Sequence, residues 1–280
     1  MRQWEVTEVA FFCTDDDFKL YFDEYGDNSK PAIIFIYDIG CKRSFFKKQT
    51  EGLKEDYHVI TWDYRAHGMA EHTHKQLNFE RLAKDLANLI EHLKLSSVVL
   101  AGSGAGGTII LNYIRLFGEK SVEKMILMDA SLKEIQTGDW TQGMFKDDRE
   151  AVDYMKEMTY DWKNFAPGLL GKMFGDGMTV SEEDKNFITG QFLDNNNTLM
   201  MSLMVGYITE DNRKTAQEIT VPVLLTYGKD ADSKHIEKEQ AAAGRFANAQ
   251  IKTFTGGTLH YYLDAEAFNK AVKEFLNKGC

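Results

Sequence analysis

The chain has 280 residues, 43% of them hydrophobic and 27% charged, the composition of a folded globular protein with room for one α/β domain plus an insertion or for two ordinary domains. A formal charge of −10 and an isoelectric point near 5.3 argue against nucleic acid or an anionic membrane surface as a partner. No apolar run approaches the ~20 residues that span a bilayer, and the opening Met-Arg-Gln-Trp-Glu-Val lacks a signal-peptide core.

Residues 4–12 and 18–22 read as two strands around the acidic turn Asp15-Asp16-Asp17, an antiparallel hairpin at a sheet edge. Pro31 leads into Ala32-Ile33-Ile34-Phe35-Ile36-Tyr37, a continuous apolar run of the buried-strand type. A helix over 44–54 and a strand over 59–62 follow. Leu82, Leu86, Leu89, Ile90 and Leu93 recur at helical spacing within 78–93, so that helix covers one face of a sheet. A strand over 97–101, a helix over 106–117 and a strand over 124–128 continue the alternation. The pattern predicts an α/β fold with a doubly wound, mostly parallel sheet.

The alternation breaks between 131 and 217. This stretch is helix-prone, carries no convincing strand, and is rich in methionine and aromatic residues such as Met144, Phe145, Tyr154, Met158, Trp162, Met173, Met200, Met204 and Tyr207. Helical core packing accounts for many of these side chains, and an apolar pocket under a helical cap accounts for others. Strands over 221–227 and 250–254 and a helix over 264–276 resume the pattern. The expected division is a core of 1–130 and 218–280 with a cap of 131–217. Cys13, Cys41 and Cys280 are odd in number and lack metal-ligand spacing, so they read as free thiols in a reducing cytoplasm. No metal site or cofactor is expected.

Within Val98-Val99-Leu100-Ala101-Gly102-Ser103-Gly104-Ala105-Gly106-Gly107 a β-branched run breaks into a sharp strand-to-helix turn. That layout resembles the nucleophile elbow, Gly-x-Ser-x-Gly, of the α/β-hydrolase superfamily. With Gly102 and Gly106 as the flanking glycines, the nucleophile position is Gly104, which has no side chain. Ser103 offers a second register flanked by Ala101 and Ala105, at the expense of ending the strand one residue early. An elbow residue adopts positive φ, which glycine accepts without penalty.

Three further motifs stand in the family's order. Asp63-Tyr64-Arg65-Ala66-His67-Gly68-Met69-Ala70 resembles its Asp-x-Arg-Gly-His-Gly-x-Ser loop. Val221-Pro222-Val223-Leu224-Leu225 entering Tyr227-Gly228 resembles the strand before the triad acid. Gly256-Gly257-Thr258-Leu259-His260-Tyr261-Tyr262-Leu263 resembles the loop that carries the triad histidine, although Phe268 follows His260 sooner than is usual.

In this family a nucleophile attacks, a histidine moves the proton, a carboxylate orients the histidine, and two backbone N–H groups hold the oxyanion. The resemblance makes His260 the general base and gives the N–H groups to Ile39 and Ala105. The acid position, counted from Gly228, falls on Ala231, with Asp230 and Asp232 on either side and Asp129 as a third candidate. The usual His-Gly pair after the third strand is Tyr37-Asp38 here. Asp38 either sets a charge beside the oxyanion hole or caps its own turn. Tyr37, Asp38 and Cys41 are expected at the pocket, with Cys41 read as an apolar filler or a substitute nucleophile. His67 reads as structural, and His72 with His74 lacks a third metal ligand.

The parent activity implied is hydrolysis of a small apolar ester, thioester or lactone. The vacancy at Gly104, with the departures at 37–38 and 231, implies loss or alteration of that chemistry, by nature or by engineering. The alternatives are a binding protein for a small hydrophobic ligand, or residual catalysis by Ser103, Cys41 or Asp38 with His260.

Overall fold

A computed structural model describes residues 10–277 except His74, Asp176 and Asp232. Residues 4–9 of the first expected strand, and Cys280, therefore lie outside the described residues. Eight strands form one sheet: β1 (Phe11–Cys13), β2 (Lys19–Tyr25), β3 (Ala32–Ile36), β4 (His58–Asp63), β5 (Val98–Ser103), β6 (Val122–Met128), β7 (Val223–Gly228) and β8 (Ala249–Phe254). Their order is β1-β2-β4-β3-β5-β6-β7-β8. β1 and β2 form the antiparallel edge, and β2 is also antiparallel to β4. From β4 to β8 the strands run parallel.

The helices α1 (Lys47–Leu53), α2 (Phe79–His92) and α3 (Ala105–Phe117) lie between the early strands. Five more fall between β6 and β7: α4 (Asp148–Tyr160), α5 (Trp162–Phe174), α6 (Glu182–Leu193), α7 (Asn197–Thr209) and α8 (Arg213–Glu218). The last three are α9 (Ser233–Ala243), α10 (His260–Leu263) and α11 (Ala265–Asn277). This is the α/β-hydrolase fold with a helical insert. The sequence reading did not anticipate α9, whose apolar positions are mostly alanines and so give a weak amphipathic pattern.

Burial explains the strand patterns. Ile33, Ile34, Phe35 and Ile36 of β3 are all fully buried, as a strand covered on both faces requires. Helix α2 begins where the Asn78 side chain accepts the Arg81 N–H, and it buries Leu82, Leu86 and Leu89. The first four helices of the insert are each capped by a side chain that accepts an N–H of the first turn, from Asp147, Asp161, Ser181 and Asn196.

Sheet order also locates the site. The chain runs from β3 to its neighbour β4 on one side, then returns to β5 on the other, so the topological switch point lies between β3 and β5. In open α/β sheets the carboxyl ends of the strands at that point form a crevice. The residues that follow β3 and β5 are Tyr37-Asp38 and Gly104.

Candidate active site

The turn from β5 into α3 pivots on Gly104, whose φ is 49° and ψ −116°. The positive-φ residue of the turn is thus the one the first register places there. The turn is also tight: a Cβ on Gly102 would lie 2.6 Å from the backbone of Gly106, so strand and helix approach at van der Waals limits. A Cβ on Gly104 would lie 2.4 Å from Cγ of Asp38 and 2.5 Å from both its carboxylate oxygens. The space a nucleophile would need is filled by a carboxylate from the loop after β3.

Asp38 Oδ1 accepts two backbone hydrogen bonds of 2.8 Å each, from Ile39 N–H and Ala105 N–H. These are the two donors expected of the oxyanion hole, and they do converge on one point, but an Asp38 oxygen already occupies it. Of the two expectations for Asp38, a charge at the hole is the one this arrangement matches, and the carboxylate sits on the donors themselves. Burial raises the Asp38 carboxyl to about 6, with the two N–H groups opposing the rise and the charges of Asp129 and Glu134 adding to it.

Above this floor lies a cavity of about 390 Å³. Its base includes Asp38, Ile39, Gly104, Asp129, Ala231, Lys238 and Thr258. The insert supplies its apolar walls, among them Phe145, Tyr154, Met158, Trp162, Met173, Met200, Met204 and Tyr207. It also supplies Glu134, which is 2% exposed and whose Oε1 lies 3.8 Å from Lys238 Nζ.

The other expected site residues are distributed differently. His260, the first residue of α10, is fully buried and stacks on Phe254 at 5.5 Å and 10°. Its Nε2 lies 2.9 Å from Thr226 Oγ1 on β7. The cavity wall on that loop is Thr258, two residues earlier. Ser103 donates its hydroxyl to Tyr261 Oη at 2.8 Å and is buried away from the cavity. Asp230 Oδ2 accepts the Gly256 N–H at 2.7 Å and so ties the β7 loop to the β8 loop. Asp232 lies outside the described residues. Asp129, at the end of β6 with φ 53°, does line the cavity, as does Ala231.

The expectation that Tyr37 and Cys41 line the pocket needs correction. Both are fully buried in the core. The Tyr37 ring stacks on Tyr64 at 4.5 Å, and its hydroxyl reaches Asp63 and the Tyr64 N–H. Burial pushes the Cys41 thiol well above its ordinary range, which opposes a reactive thiolate. His67 takes the structural role expected of it. Its Nε2 accepts the Gly40 N–H at 3.0 Å, and burial lowers the ring to about 3, so it is neutral.

Gly104, Ala231 and Thr258 all line the cavity, together with Asp38, Asp129 and Glu134. Sequence reasoning chose His260 for its Gly-Gly approach and the Tyr-Tyr-Leu that follows it, and did not weigh Thr258. The contrary signal was spacing, since Phe268 lies eight residues beyond His260 but ten beyond Thr258. Glu134 and Lys238 had no motif to mark them. Among the described residues no group of three or more His, Cys, Asp or Glu is placed to hold a metal ion. No helix among them is long and apolar enough to cross a membrane.

Comparison with known proteins agrees with this architecture. The model of a family described as alpha/beta hydrolase fold matches residues 39–262, and the chain belongs to that family. It is 24% identical over 267 residues to AB hydrolase superfamily protein YisY of Bacillus subtilis, covering 94% of this chain and 97% of that protein. It is 25% identical to a putative esterase/lipase of Haemophilus influenzae, covering 89% of this chain and 84% of the relative. Among solved structures, an esterase from Exiguobacterium antarcticum superposes with a TM-score of 0.89 at 22% identity, over 97% of this chain and all of that one. The enol-lactonase from Burkholderia xenovorans superposes with a TM-score of 0.80 at 18% identity, over 96% of this chain and 100% of the other.

Proposed function

We propose that this protein is an α/β-hydrolase-fold member that has left nucleophile–histidine hydrolysis and binds a small, largely apolar molecule in its cavity without cleaving it. Residues 131–217 act as the cap over that cavity. The relatives named as esterases and an enol-lactonase supply the parent chemistry, hydrolysis of a small ester or lactone.

The observation that carries the reading is the position of Asp38. Acyl transfer in this fold requires an attacking side chain at the elbow and two empty N–H groups to receive the oxyanion. Asp38 occupies the space of the first and both donors of the second. A second negative charge developing within contact distance of that carboxylate would be repelled instead of stabilised.

Hydrolysis of p-nitrophenyl acetate and butyrate tests this. The unaltered protein is expected to match the buffer rate, and a bound apolar ligand is expected to raise the melting temperature. Turnover that disappears in Ser103→Ala or His260→Ala would overturn the reading. Joint replacement Gly104→Ser with Asp38→Gly frees the donors and returns a hydroxyl, so any recovered esterase activity should belong to that pair and not to Gly104→Ser alone.

A further inference from the structure

We propose that Asp38 moves a proton within the molecule the cavity holds. It takes the proton from a carbon beside a carbonyl group and returns it, so that the protein isomerises an enolisable, largely apolar ketone. The inference rests on the reading that the cavity binds such a molecule without cleaving it, and adds an activity to it. The placement of the two Asp38 oxygens carries it. Oδ1 is fixed by the Ile39 and Ala105 N–H groups at 2.8 Å each. Oδ2 accepts no hydrogen bond from the described residues, and the side chain stands at the floor of the cavity of about 390 Å³. One oxygen is clamped and the other is presented, which is what a carboxylate base needs. The fold does not call for an acid here, because asparagine would offer both N–H groups the same acceptor without a charge. Burial and the charges of Asp129 and Glu134 raise the carboxyl to about 6, so it gains and loses a proton near neutral pH.

The filled donors narrow the chemistry. Hydrolysis would set an oxyanion on the Ile39 and Ala105 N–H groups, which Asp38 itself holds. A proton shift needs neither those donors nor water nor a leaving group. Asp38 Oδ2 takes the proton, the C–H electron pair moves into the bond to the carbonyl carbon, and the carbonyl oxygen becomes an enolate oxygen. Asp38 is then neutral and does not repel that charge. The proton returns to the same carbon or, in a β,γ-unsaturated ketone, to the γ carbon, which brings the double bond into conjugation. Atoms and charge balance with no co-reactant.

The enolate oxygen requires a donor, and the geometry gives that part to Tyr154 of the wall. Its ring packs against Phe145 and Phe165 with centroids 5.3 Å from each. Burial and the charge of Asp38 raise its hydroxyl to about 12, so it stays protonated. The other cavity donors, the Tyr207 hydroxyl and Lys238, are drawn to Glu134 instead.

Hydrogen exchange in deuterated water, followed by proton NMR, tests this with 2-tetralone, an apolar ketone that has benzylic hydrogens beside its carbonyl. Calorimetry measures binding of the same ketone separately, and circular dichroism checks that each variant is folded. The unaltered protein is expected to exchange those hydrogens faster than buffer. Asp38→Asn should lower the protein-dependent rate by about 100-fold and Tyr154→Phe by about tenfold, with binding within about threefold of the parent in both. Bound ketone that exchanges only at the buffer rate, or exchange as fast in Asp38→Asn as in the parent, overturns the inference and leaves the binding reading standing. Exchange undiminished in Tyr154→Phe overturns the donor assigned to the enolate. Lack of 2-tetralone binding at millimolar concentration overturns the inference as well. Ester turnover lost in His260→Ala would instead overturn the binding reading, whatever 2-tetralone does.

Discussion

Asp85 and Asp38 are both carboxylates inside this molecule, and their surroundings differ in kind. Asp85 of α2 is fully buried between two guanidinium groups, with Arg65 Nε at 2.6 Å and Arg81 Nε at 3.0 Å. Arg65 extends the cluster to Asp16, whose carboxyl it holds well below the usual carboxylate range. Among the described residues Asp38 has no cation hydrogen-bonded to it, only two backbone N–H groups, and it feels the repulsion of Asp129 and Glu134. A carboxylate that serves the fold is saturated by its partners and locks the edge hairpin to α2. The carboxylate at the cavity is held by backbone donors alone, against like charges.

The largest effect should come from breaking the saturated cluster. Arg65→Ala leaves Asp85 and Asp16 without their main cation and should destabilise the protein by about 3–5 kcal/mol in denaturant unfolding. A loss below about 1 kcal/mol would erase the contrast between the two sites.

Asp38→Asn should act in the opposite direction. An acid whose folded value, about 6, lies above its ordinary 3.8 binds more protons folded than unfolded between those values, so its contribution to stability falls as pH rises through that window. The variant keeps an acceptor for both N–H groups and lacks the charge. It should be more stable than the parent by about 1–3 kcal/mol above pH 6. The gap should close toward pH 3.8. A gap that does not change with pH would show that the Asp38 charge is not what costs stability.

Gly104→Ala forces a side chain into positive φ and against the Asp38 carboxylate, with an expected loss of about 1–2 kcal/mol. Adding Asp38→Gly should recover part of that loss, and a double-mutant cycle measures how strongly the two positions are coupled. Simple additivity would mean that the contact does not set the strain. The smallest effect belongs to an exposed pair, Lys42 with Asp194, the latter 68% exposed. Lys42→Ala should change stability by no more than about 0.5 kcal/mol, which calibrates the buried sites against the surface.

Much of the architecture was legible in local patterns. The unbroken apolar run of β3, the leucine spacing of α2 and the glycines around the elbow each report burial or backbone freedom, and such demands act over a few residues. The Gly104 turn is the sharpest case, because positive φ next to a crowded strand–helix junction favours glycine wherever that turn occurs. The helical insert was legible as helical and apolar, but not which of its methionines and aromatics face inward. Helix α6 and helix α7 have apolar residues on all sides, so periodicity does not choose a face.

The identity of the histidine loop shows the limit most clearly. His260 carries the chemistry the family would use, and two residues of phase turn it onto Thr226 while Thr258 meets the cavity. The sequence by itself determined the strand and helix periods, the sheet class, the positive-φ turn and the lack of a side chain at Gly104, since each is imposed by short-range sterics and by which faces must leave water. Only the tertiary structure decided that Asp38 fills the place opposite Gly104 and binds the Ala105 N–H from 67 residues away. That contact depends on how β3 and β5 lie side by side, and no local pattern in either strand encodes what the other brings to it.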